Sequence, residues 1–360
     1  MLIISMSSGL NAFAASPNVL GSHHPELNRE GEPPCEPKYL GSGGASPSRH
    51  DHVPPIFPRF KPLEMGDRME IEAFTSQFDP YSDFCFSLLT FYNCGGHTSW
   101  CWLNGNFVLR FSDSFGPGIF LTFLGNKNAA ATAATLVDYA VEMGFTPTLW
   151  RIPEVTAKAI ADESDDFSME EDRDGFDYVH ALHTLVRLEG SESSALRHDV
   201  TRFKKRHSPH QFVHLDFCDA ATQSQLQSLM GLWQTYKKED RTAENYHGAL
   251  DNCIRHAYDF DLLGIGLVID DSLEGFTMAE DVGNGWLLSH FAAANPRVCG
   301  LSGSLLHHLA LLGAGLGCTN LNYQEDVGDP GLRRFKMKCA PSGFLRKFSV
   351  SRKEGFPCCS

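Results

Sequence analysis

The sequence predicts an α/β protein with two successive units, each containing a mixed and largely antiparallel sheet. The chain has 360 residues, of which 42% are hydrophobic and 21% are charged, and this length favours about two domains. Hydrophobic periodicity runs from about residue 81 to residue 350, and the element order of its first half returns in its second half. We therefore expect a flexible tail at 1–66, a first unit at 67–185, a second unit at 186–352 and a short tail at 353–360.

The first unit begins with an amphipathic helix at 82–92 and two strands joined at Asn104-Gly105, a pair that favours a tight hairpin turn. A third strand is predicted at 118–124. Apolar residues at helical spacing then predict a helix over 128–143, which Gly144 ends. A strand at 148–152, a short helix at 154–161 and a strand at 176–182 complete this unit.

The second unit begins with a basic helix at 194–206. Its other elements are, in order, a strand at 211–217, helices at 221–238 and 243–258, strands at 264–269, 275–279 and 286–293, a helix at 304–316, a strand at 319–323, a short helix at 330–337 and a strand at 344–350. Helices, three meandering strands, helix, strand, helix, strand is the element order of acetyltransferase-type folds. We therefore expect two tandem acetyltransferase-like units.

The composition restricts the classes of protein to which the chain can belong. Residues 1–66 are rich in Ser, Gly, Pro and His and show little periodicity, which is typical of a flexible segment. No stretch approaches the roughly 18 consecutive apolar residues of a membrane span, and no targeting signal is convincing, so a soluble, cytoplasmic protein is expected. The eleven cysteines include no C-x-x-C pair or other metal-type spacing, which indicates reduced thiols and no metal site.

Charge is unevenly distributed along the chain. The net charge of −14 argues at first against a nucleic-acid partner, because phosphate binding needs a basic surface. However, residues 1–196 contain 12 Lys and Arg against 26 Asp and Glu, whereas residues 197–360 contain 18 of each. The bases of this second part concentrate in 197–206 and 333–353, so local positive surfaces can form there.

The most specific motif is the segment 322–336, N-Y-Q-E-D-V-G-D-P-G-L-R-R-F-K, followed by Pro341 and Lys347-Phe348. It resembles the N-x-E-E-D-x-G-x-x-G-L-R-x-x-K signature of the C-terminal domain of phosphatidylglycerol lysyltransferases. The residues that stand at signature positions are Asn322, Glu325, Asp326, Gly328, Gly331, Leu332, Arg333, Lys336 and Pro341.

A second stretch, from Tyr178 to Phe203, resembles a strand and a basic helix of the same family. Agreement is found at Gly190, Arg197, Arg202 and Phe203. The chain departs from the family by having Ser194, His198 and Thr201 where members usually have His, Asn and Asn, and Ala293 where they have Lys.

The resemblance implies an aminoacyltransferase with an aminoacyl-tRNA donor, no further cofactor, and an active site in the C-terminal unit near a tunnel between the units. The acceptor would be a lipid head group, or a small soluble molecule, with peripheral membrane contact but no transmembrane segment. Glu325 or Asp326 would act as the base or grip the α-ammonium group. Arg333 and Lys336, on one face of a short helix, would hold phosphates or the oxyanion. Asn322, Tyr323 and His290 are the further candidates for substrate binding.

A basic helix face with Arg197, Arg202, Lys204 and Lys205 is a candidate phosphate-contact surface, although a solvated helix face carries the same pattern. Two other functions stay open. The segment 297–302, R-V-C-G-L-S, loosely resembles a loop that holds coenzyme A pyrophosphate at a helix start, which would indicate an acyl-coenzyme A N-acyltransferase. The altered family positions would suit a binding protein that has kept the fold without catalysis.

Overall fold

A computed structural model of the chain describes residues 54–113, 118–236 and 243–353. The elements of the first part are, in chain order, β1 (Lys61–Pro62), α1 (Arg68–Thr75), α2 (Phe86–Phe91), β2 (Thr98–Leu103), β3 (Asn106–Asp113), β4 (Gly118–Leu124), α3 (Ala129–Glu142), β5 (Thr148–Pro153), α4 (Glu154–Glu163), β6 (Phe167–Glu171), β7 (Asp177–Ala181) and α5 (Leu182–Arg187). Single turns of 3₁₀ helix lie at Met65–Asp67, Ser82–Phe84 and Arg173–Gly175.

The elements of the second part are α6 (Ser194–Arg206), β8 (Gln211–His214), α7 (Ala220–Tyr236), α8 (Ala243–Arg255), β9 (Leu263–Ile269), β10 (Ser272–Asp281), β11 (Trp286–Ala294), α9 (Leu301–Gly315), β12 (Asn320–Asn322), α10 (Pro330–Lys338), β13 (Gly343–Leu345) and β14 (Lys347–Arg352). Most predicted elements are therefore confirmed within a few residues. The hairpin at Asn104-Gly105 is also confirmed, with φ of 54° and 78° at its two central residues.

The strands form two seven-stranded sheets, ordered β1-β2-β3-β4-β5-β14-β6 and β13-β7-β12-β11-β10-β9-β8. Every pairing between these strands is antiparallel except β4 with β5 and β11 with β12. In both sheets a three-stranded meander leads through a long helix to the parallel strand. The predicted α/β class with mixed, largely antiparallel sheets is confirmed.

The two sheets exchange one strand each. Strand β7 comes before the expected boundary at 185/186 but lies between β13 and β12 of the second sheet, and β14 comes at the end of the chain but lies between β5 and β6 of the first sheet. The single strand expected at 344–350 is wrong, because the chain changes sheet at Arg346. At this point Arg346 forms ion pairs with Glu154 of α4 and Glu171 of β6, which both belong to the side of the first sheet. Hydrophobic alternation along one segment cannot show that its two ends enter different sheets.

The flexible tail expected at 1–66 is wrong for residues 54–66. Strand β1 pairs with β2, Leu63 is buried, and the ring of Phe57 lies 5.2 Å from that of Tyr139. Residues 1–53, the rest of the expected tail, lie outside the described part of the chain, as do residues 354–360. Four elements were not predicted, namely β1, α1, β6 and α5.

The largest apolar core lies between the sheets. It joins Trp100 and Phe107 of the first sheet to Phe276 and Phe291 of the second, with Phe91 of α2 between them. Helices α3 and α4 cover the first sheet's other face, and α5, α6 and α9 cover the second sheet's other face. Helix α2 and the exchanged strands therefore share one interior layer, and the polar residues of this layer form the candidate site.

Candidate functional site

A buried ion network lies where the exchanged strands meet. The ammonium group of Lys347, the first residue of β14, contacts Asp177 Oδ1 at 2.9 Å, Asp83 Oδ2 at 2.5 Å and Ser82 Oγ at 2.9 Å. Asp177 also accepts from the backbone N–H of Ser82 at 2.8 Å and from its hydroxyl at 2.6 Å. Asp177 and Lys347 are completely buried. Buried charges are found in proteins when they are paired in this way.

Asn322 fixes the position of this network relative to β12. Its side-chain amide donates to the carbonyl of Pro80 at 2.7 Å and to Asp177 Oδ2 at 3.3 Å, and its oxygen accepts from the N–H of Gln324 at 2.7 Å. Asn322 is fully buried. The structure therefore places this predicted substrate-binding residue behind the site, where it aligns the segment that contains Ser82 with the segment that contains Glu325.

Glu325 is the most exposed carboxylate of the network. One oxygen lies 3.1 Å from Ser82 Oγ and the other 3.5 Å from Arg151 Nη1, and 15% of the side chain is exposed. Burial raises the pKa of its carboxyl, but Lys347 and Arg151 outweigh this effect and hold the pKa below its usual value. Glu325 is therefore ionised at neutral pH.

Arg151 enters the site from the first sheet through a distorted strand. Its φ is +55°, in a region that non-glycine residues rarely adopt, and the pairing of β5 with β14 shifts register beside it. Arg151 Nη1 bonds Asp83 Oδ1 at 2.7 Å, and 28% of the side chain is exposed. Such strain persists where the surrounding structure enforces it, and it concentrates at functional sites.

Lys336 supports the loop that contains Glu325. Its ammonium group donates to the backbone carbonyls of Tyr323, Gln324 and Glu325 at 2.5, 3.1 and 2.7 Å. Burial lowers the pKa of this lysine to about 8, although Glu325 and Asp177 oppose the shift. Because an ammonium group has three protons, these bonds leave none for a phosphate. The geometry favours a positioning role over the predicted phosphate contact.

Asp326 and Arg333 form a separate ion pair beside the loop. Arg333 binds both oxygens of Asp326, at 2.9 and 2.7 Å, and also contacts Asp174 at 2.6 Å. Asp326 accepts further bonds from Tyr178 at 2.6 Å and from Arg173 at 3.2 Å. The buried Asp326 carboxylate is thus saturated by structural partners. Of the four predicted catalytic residues, Glu325 belongs to the buried network and has a partly exposed side chain.

An aromatic cluster at the end of α2 lies within electrostatic reach of Glu325. Tyr92, at the end of α2, stacks on Phe291 with ring centroids 5.9 Å apart and meets Tyr246 edge-on at 6.3 Å. Tyr92 is 42% exposed, yet burial, with smaller contributions from Tyr246 and Glu325, raises the pKa of its phenol well above the usual range. The ring therefore packs on Phe291 and Tyr246 while part of it remains exposed to solvent.

The other predicted substrate-binding residues of this region lie in packing positions. His290 is buried, with Nε2 3.0 Å from Glu280 and its ring 5.1 Å from that of Phe91. Tyr323 packs between His180 and Phe335. Both residues border the site through their backbone, because the carbonyls of His290 and Tyr323 accept from Gln324 and Lys336 respectively.

The four basic residues predicted on α6 as a phosphate-contact surface fall into two groups in the structure. Arg197 donates to the carbonyls of Leu188 and Gly190, which end α5, and Arg202 pairs with Asp199 at 2.8 Å. Lys204 and Lys205 are exposed. The two arginines therefore stabilise neighbouring segments, whereas the two lysines stay on the surface.

The segment with a loose likeness to a coenzyme A loop is covered by α6. Gly300 has φ of +84°, and a Cβ atom placed there would lie 2.4 Å from the carbonyl oxygen of Asp199. Asp199 is buried at this position and pairs with Arg202 and Lys338. A carboxylate of the chain itself therefore lies beside the start of α9, where a pyrophosphate would have to bind.

Two absences apply to the described residues only. In residues 54–113, 118–236 and 243–353, no group of three or more His, Cys, Asp or Glu side chains is arranged to hold a metal ion. Over the same ranges, no helix has the length and apolar character needed to cross a membrane.

Sequence reasoning missed five members of the network, namely Ser82, Asp83, Arg151, Asp177 and Lys347. Lys347 stood next to the motif, and Ser82-Asp83 and Asp177 are polar residues in otherwise apolar surroundings. That pattern was a usable signal for buried polar groups. The sequence around Arg151 contains no such signal, because nothing in it indicates a positive φ.

These observations define a class: an α/β chain whose two sheets exchange strands around a buried ion network that has an aromatic cluster nearby. The sequence profile of the family described as phosphatidylglycerol lysyltransferase, C-terminal, matches residues 87–351. The chain belongs to this family, as its motifs predicted. The family is associated with lysyltransferase activity, and the match includes Arg151, Asp177, Glu325 and Lys347.

Solved structures share the fold. A conserved protein of unknown function from Bacteroides thetaiotaomicron superimposes with a TM-score of 0.71 at 21% identity, covering 82% of this chain and 99% of that one. The C-terminal domain of a putative lysylphosphatidylglycerol synthetase from Agrobacterium fabrum gives 0.57 at 13% identity, with coverages of 80% and 92%. L-PGS from Bacillus licheniformis gives 0.55 at 15% identity, with coverages of 81% and 93%. A search of the curated proteins found no significant match.

Proposed function

We propose that the chain is an aminoacyltransferase that moves an amino acid from an aminoacyl-tRNA to a lipid head group or a small soluble acceptor. The observation that carries this proposal is Glu325, an ionised carboxylate at the open edge of a buried network. Family membership supports the reaction class. The network supports a substrate that brings a positive charge.

The charge balance of the network favours a cationic ligand. Three carboxylates, Asp83, Asp177 and Glu325, are in direct contact with two cations, Arg151 and Lys347. Lys336 and Asp172 also act electrostatically on these groups and add one charge of each sign, so one negative charge remains in excess. Burial, together with Glu325 and Asp83, raises the pKa of Asp177 to about 6, although Lys347 opposes the shift. An α-ammonium group bound at Glu325 would balance the excess charge, since opposite charges at close range stabilise each other most in buried surroundings.

The lowered pKa of Glu325 distinguishes between its two candidate roles. A general base works best when its pKa lies near the working pH, whereas Lys347 and Arg151 hold the pKa of Glu325 below its usual value despite burial. Glu325 is thus better suited to bind the α-ammonium group of the aminoacyl ester than to accept a proton.

Arg151 is a candidate to stabilise the charge that develops during transfer. Its hydrogen bonds to the described residues Asp83 and Glu325 are made by Nη1, and a ligand would bind through Nε or Nη2. The acceptor's hydroxyl or amine attacks the ester carbonyl, the bond to the ribose oxygen breaks, and the nucleophile's proton passes to that oxygen. A guanidinium group directed at the carbonyl oxygen would stabilise the tetrahedral intermediate.

The aromatic cluster is a candidate contact for the rest of the ligands. Tyr92 packs on Tyr246 and Phe291 and is partly exposed, and aromatic rings accept both apolar groups and cations. The cluster therefore suits the aminoacyl side chain or the acceptor. The structure supports coenzyme A as donor less well, because α6 covers the start of α9.

The test is transfer of label from each aminoacyl-tRNA, supplied with phosphatidylglycerol vesicles or with a soluble metabolite extract. Transfer should depend on intact RNA, and Glu325→Gln should lower kcat/KM by about 10- to 100-fold, because a hydrogen bond to a charged group is lost. Glu142→Gln, at an exposed site of α3, is the matched control. Activity that survives ribonuclease and follows added acyl-coenzyme A would overturn the proposal.

A further inference from the structure

Strands β11 and β12 separate close to the Glu325 loop. The last of their parallel pairs joins Leu288 to Asn322, the final residue of β12. On its other side β11 stays paired with β10 up to Ala294, but the register shifts so that His290 has no partner on β10. A bulge of this kind bends a strand and interrupts its regular hydrogen bonding. The carbonyls of Ser289 and His290 therefore face a gap that β12 no longer fills.

The side chain of Gln324 bridges this gap. Its amide nitrogen donates to the carbonyl of Ser289 at 2.5 Å and to the carbonyl of His290 at 2.9 Å. Successive carbonyls of a regular strand point to opposite sides, and the bulge at His290 explains why both accept from the same side here. A side-chain amide has two N–H donors, so Gln324 satisfies both carbonyls at once. We call these two bonds the amide clamp.

The backbone of Gln324 is held as firmly as its side chain. Its φ of +56° lies in a region that non-glycine residues rarely adopt. Its N–H donates to Asn322 Oδ1 at 2.7 Å, and its carbonyl accepts from the backbone N–H of Tyr178 at 3.0 Å and from Lys336 at 3.1 Å. A strained residue persists only where the surrounding contacts enforce it. These contacts therefore set the direction in which the chain leaves Gln324, and with it the position of Glu325.

The amide clamp belongs to this chain and not to the family signature. The signature begins N-x-E-E-D, and this chain has Gln324 at the first of its two Glu positions. An ionised carboxylate only accepts hydrogen bonds, so Glu at this position could not donate to the carbonyls of Ser289 and His290. The change from Glu to Gln therefore creates a direct link between β11 and the Glu325 loop.

We propose that the amide clamp of Gln324 positions Glu325 at the buried network and thereby sets the affinity for the ammonium group of the ligand. Glu325 now lies 3.1 Å from Ser82 Oγ and 3.5 Å from Arg151 Nη1. Without the clamp, the strained backbone of Gln324 relaxes and Glu325 leaves these partners. The ammonium ligand rests on the proposed function, whereas the clamp itself rests on the contacts of Gln324.

Two variants separate the lost bonds from the added charge. Gln324→Glu removes both donors and adds a negative charge. Gln324→Asn keeps a neutral amide and tolerates the positive φ, but it is shorter by a methylene group and cannot reach both carbonyls. In each variant kcat/KM for the aminoacyl-tRNA that the unaltered chain uses should fall by about tenfold or more, mainly through a higher KM, because Glu325 is no longer held in place.

Acid should partly restore Gln324→Glu but not Gln324→Asn. A carboxyl group that faces carbonyl oxygens and the Glu325 carboxylate is protonated more easily than usual, and once protonated it donates one of the two lost bonds. The kcat/KM of Gln324→Glu, relative to that of the unaltered chain, should therefore rise by about three- to fivefold as pH falls from 7 to 5. The same ratio for Gln324→Asn should stay constant.

Gln223→Glu is the matched control. Gln223, on α7, also donates from its side-chain amide to a backbone carbonyl, that of Phe217 at 2.6 Å, but it lies outside the network. This variant makes the same chemical change and should keep the kcat/KM of the unaltered chain at each pH.

Hydrogen exchange of the backbone amides, followed by mass spectrometry, tests the clamp without a transfer assay. At pH 7 the segment 323–328 should exchange about tenfold faster in both Gln324 variants, because each lost bond raises the population of the open loop. Gln223→Glu should exchange this segment at the unaltered rate. If Gln324→Glu does not fold, the milder Gln324→Asn variant decides the question.

The outcomes separate the clamp from the proposed function. Unchanged exchange in Gln324→Asn would overturn the clamp, even in a chain that transfers the aminoacyl group. A higher KM with unchanged exchange would also overturn it, since Gln324 would then contact the ligand and not position Glu325. Faster exchange in a protein that transfers from no aminoacyl-tRNA would support the clamp and overturn the proposed function.

Discussion

Lys347 and Asp177 form a completely buried ion pair, 2.9 Å long, that joins the two sheets. Each residue lies on an exchanged strand, since β14 belongs to the first sheet and β7 to the second. The same lysine contacts Asp83 and Ser82, which precede α2. The charge that organises the site therefore also holds the two halves of the fold together.

Replacement of Lys347 should destabilise the whole chain. Lys347→Met preserves length and apolar stem but leaves Asp83 and Asp177 buried without their shared cation, and breaking a buried pair in this way costs about 3–5 kcal/mol. Chemical denaturation should show this loss in the free energy of unfolding. Lys353→Met, at an exposed position of the same terminal segment, should change it by less than about 0.5 kcal/mol. A similar small effect for both variants would show that the pair does not join the sheets.

Asp177 should make stability depend on pH in the acid range. Burial, with Glu325 and Asp83, raises the pKa of this carboxyl to about 6, against about 3.9 in an unfolded chain. The folded state then binds more protons between pH 4 and pH 6, so the contribution of Asp177 to stability is present below pH 4 and is lost as pH rises to 6. The unfolding free energy of the unaltered chain, relative to that of Asp177→Asn, should fall by about 2–3 kcal/mol over this window. A difference that stays constant from pH 4 to pH 7 would contradict the assignment.

Lys336 should set the alkaline limit of activity. Burial lowers its pKa to about 8 despite Glu325 and Asp177, so the folded state binds fewer protons than the unfolded chain between pH 8 and about 10.4, and the stability contribution rises with pH there. Activity should behave oppositely, because deprotonation removes bonds to the three carbonyls of the Glu325 loop.

The pH profile of kcat/KM checks this role. The unaltered chain should lose activity above about pH 8, and Lys336→Met should be weakly active at all pH values with no such limb. Lys338→Met is the matched control, since Lys338 pairs with Asp199 on another side of α10, and it should keep the limb. An alkaline limb that persists in Lys336→Met belongs to a different group.

The sequence predicted most elements because their periodicity is local, and it failed where placement depends on distant pairing. Helix α6 and strand β4 have the predicted limits. The sequences of β7 and β14 do not indicate that these strands are exchanged. Hydrophobic alternation shows which face of a strand is buried, but it does not show which sheet the strand joins. Similarly, the motif includes Glu325, but Arg151 reaches this carboxylate from the first sheet and Ser82 reaches it from the turn before α2. Sequence spacing cannot show such contacts.

Truncation distinguishes the packed part of the expected tail from the rest. Removal of residues 1–53 should leave the melting temperature unchanged, as the composition of this segment predicts. Removal of residues 1–66 should lower stability by at least about 3 kcal/mol, because it exposes apolar surface now covered by Leu63 and by Phe57 and Phe60 around Tyr139. Equal melting temperatures for the two truncations would show that residues 54–66 contribute nothing to the fold.

Gly300 should be needed for the packing of α6 on α9. Its φ of +84° strains any other residue, and a Cβ atom would meet the carbonyl oxygen of Asp199 at 2.4 Å and the Cβ of Phe203 at 3.1 Å. Gly300→Ala should therefore lower the free energy of unfolding by more than about 1 kcal/mol. Gly231→Ala, inside α7 with no atom within 4 Å of the added group, should instead stabilise by about 0.5–1 kcal/mol.

Calorimetry with coenzyme A on the unaltered chain tests the same contact, and we expect no heat of binding because α6 covers the start of α9. A neutral Gly300→Ala variant together with measurable coenzyme A binding would show that this contact opens, and it would restore the acyl-coenzyme A reaction as a competitor.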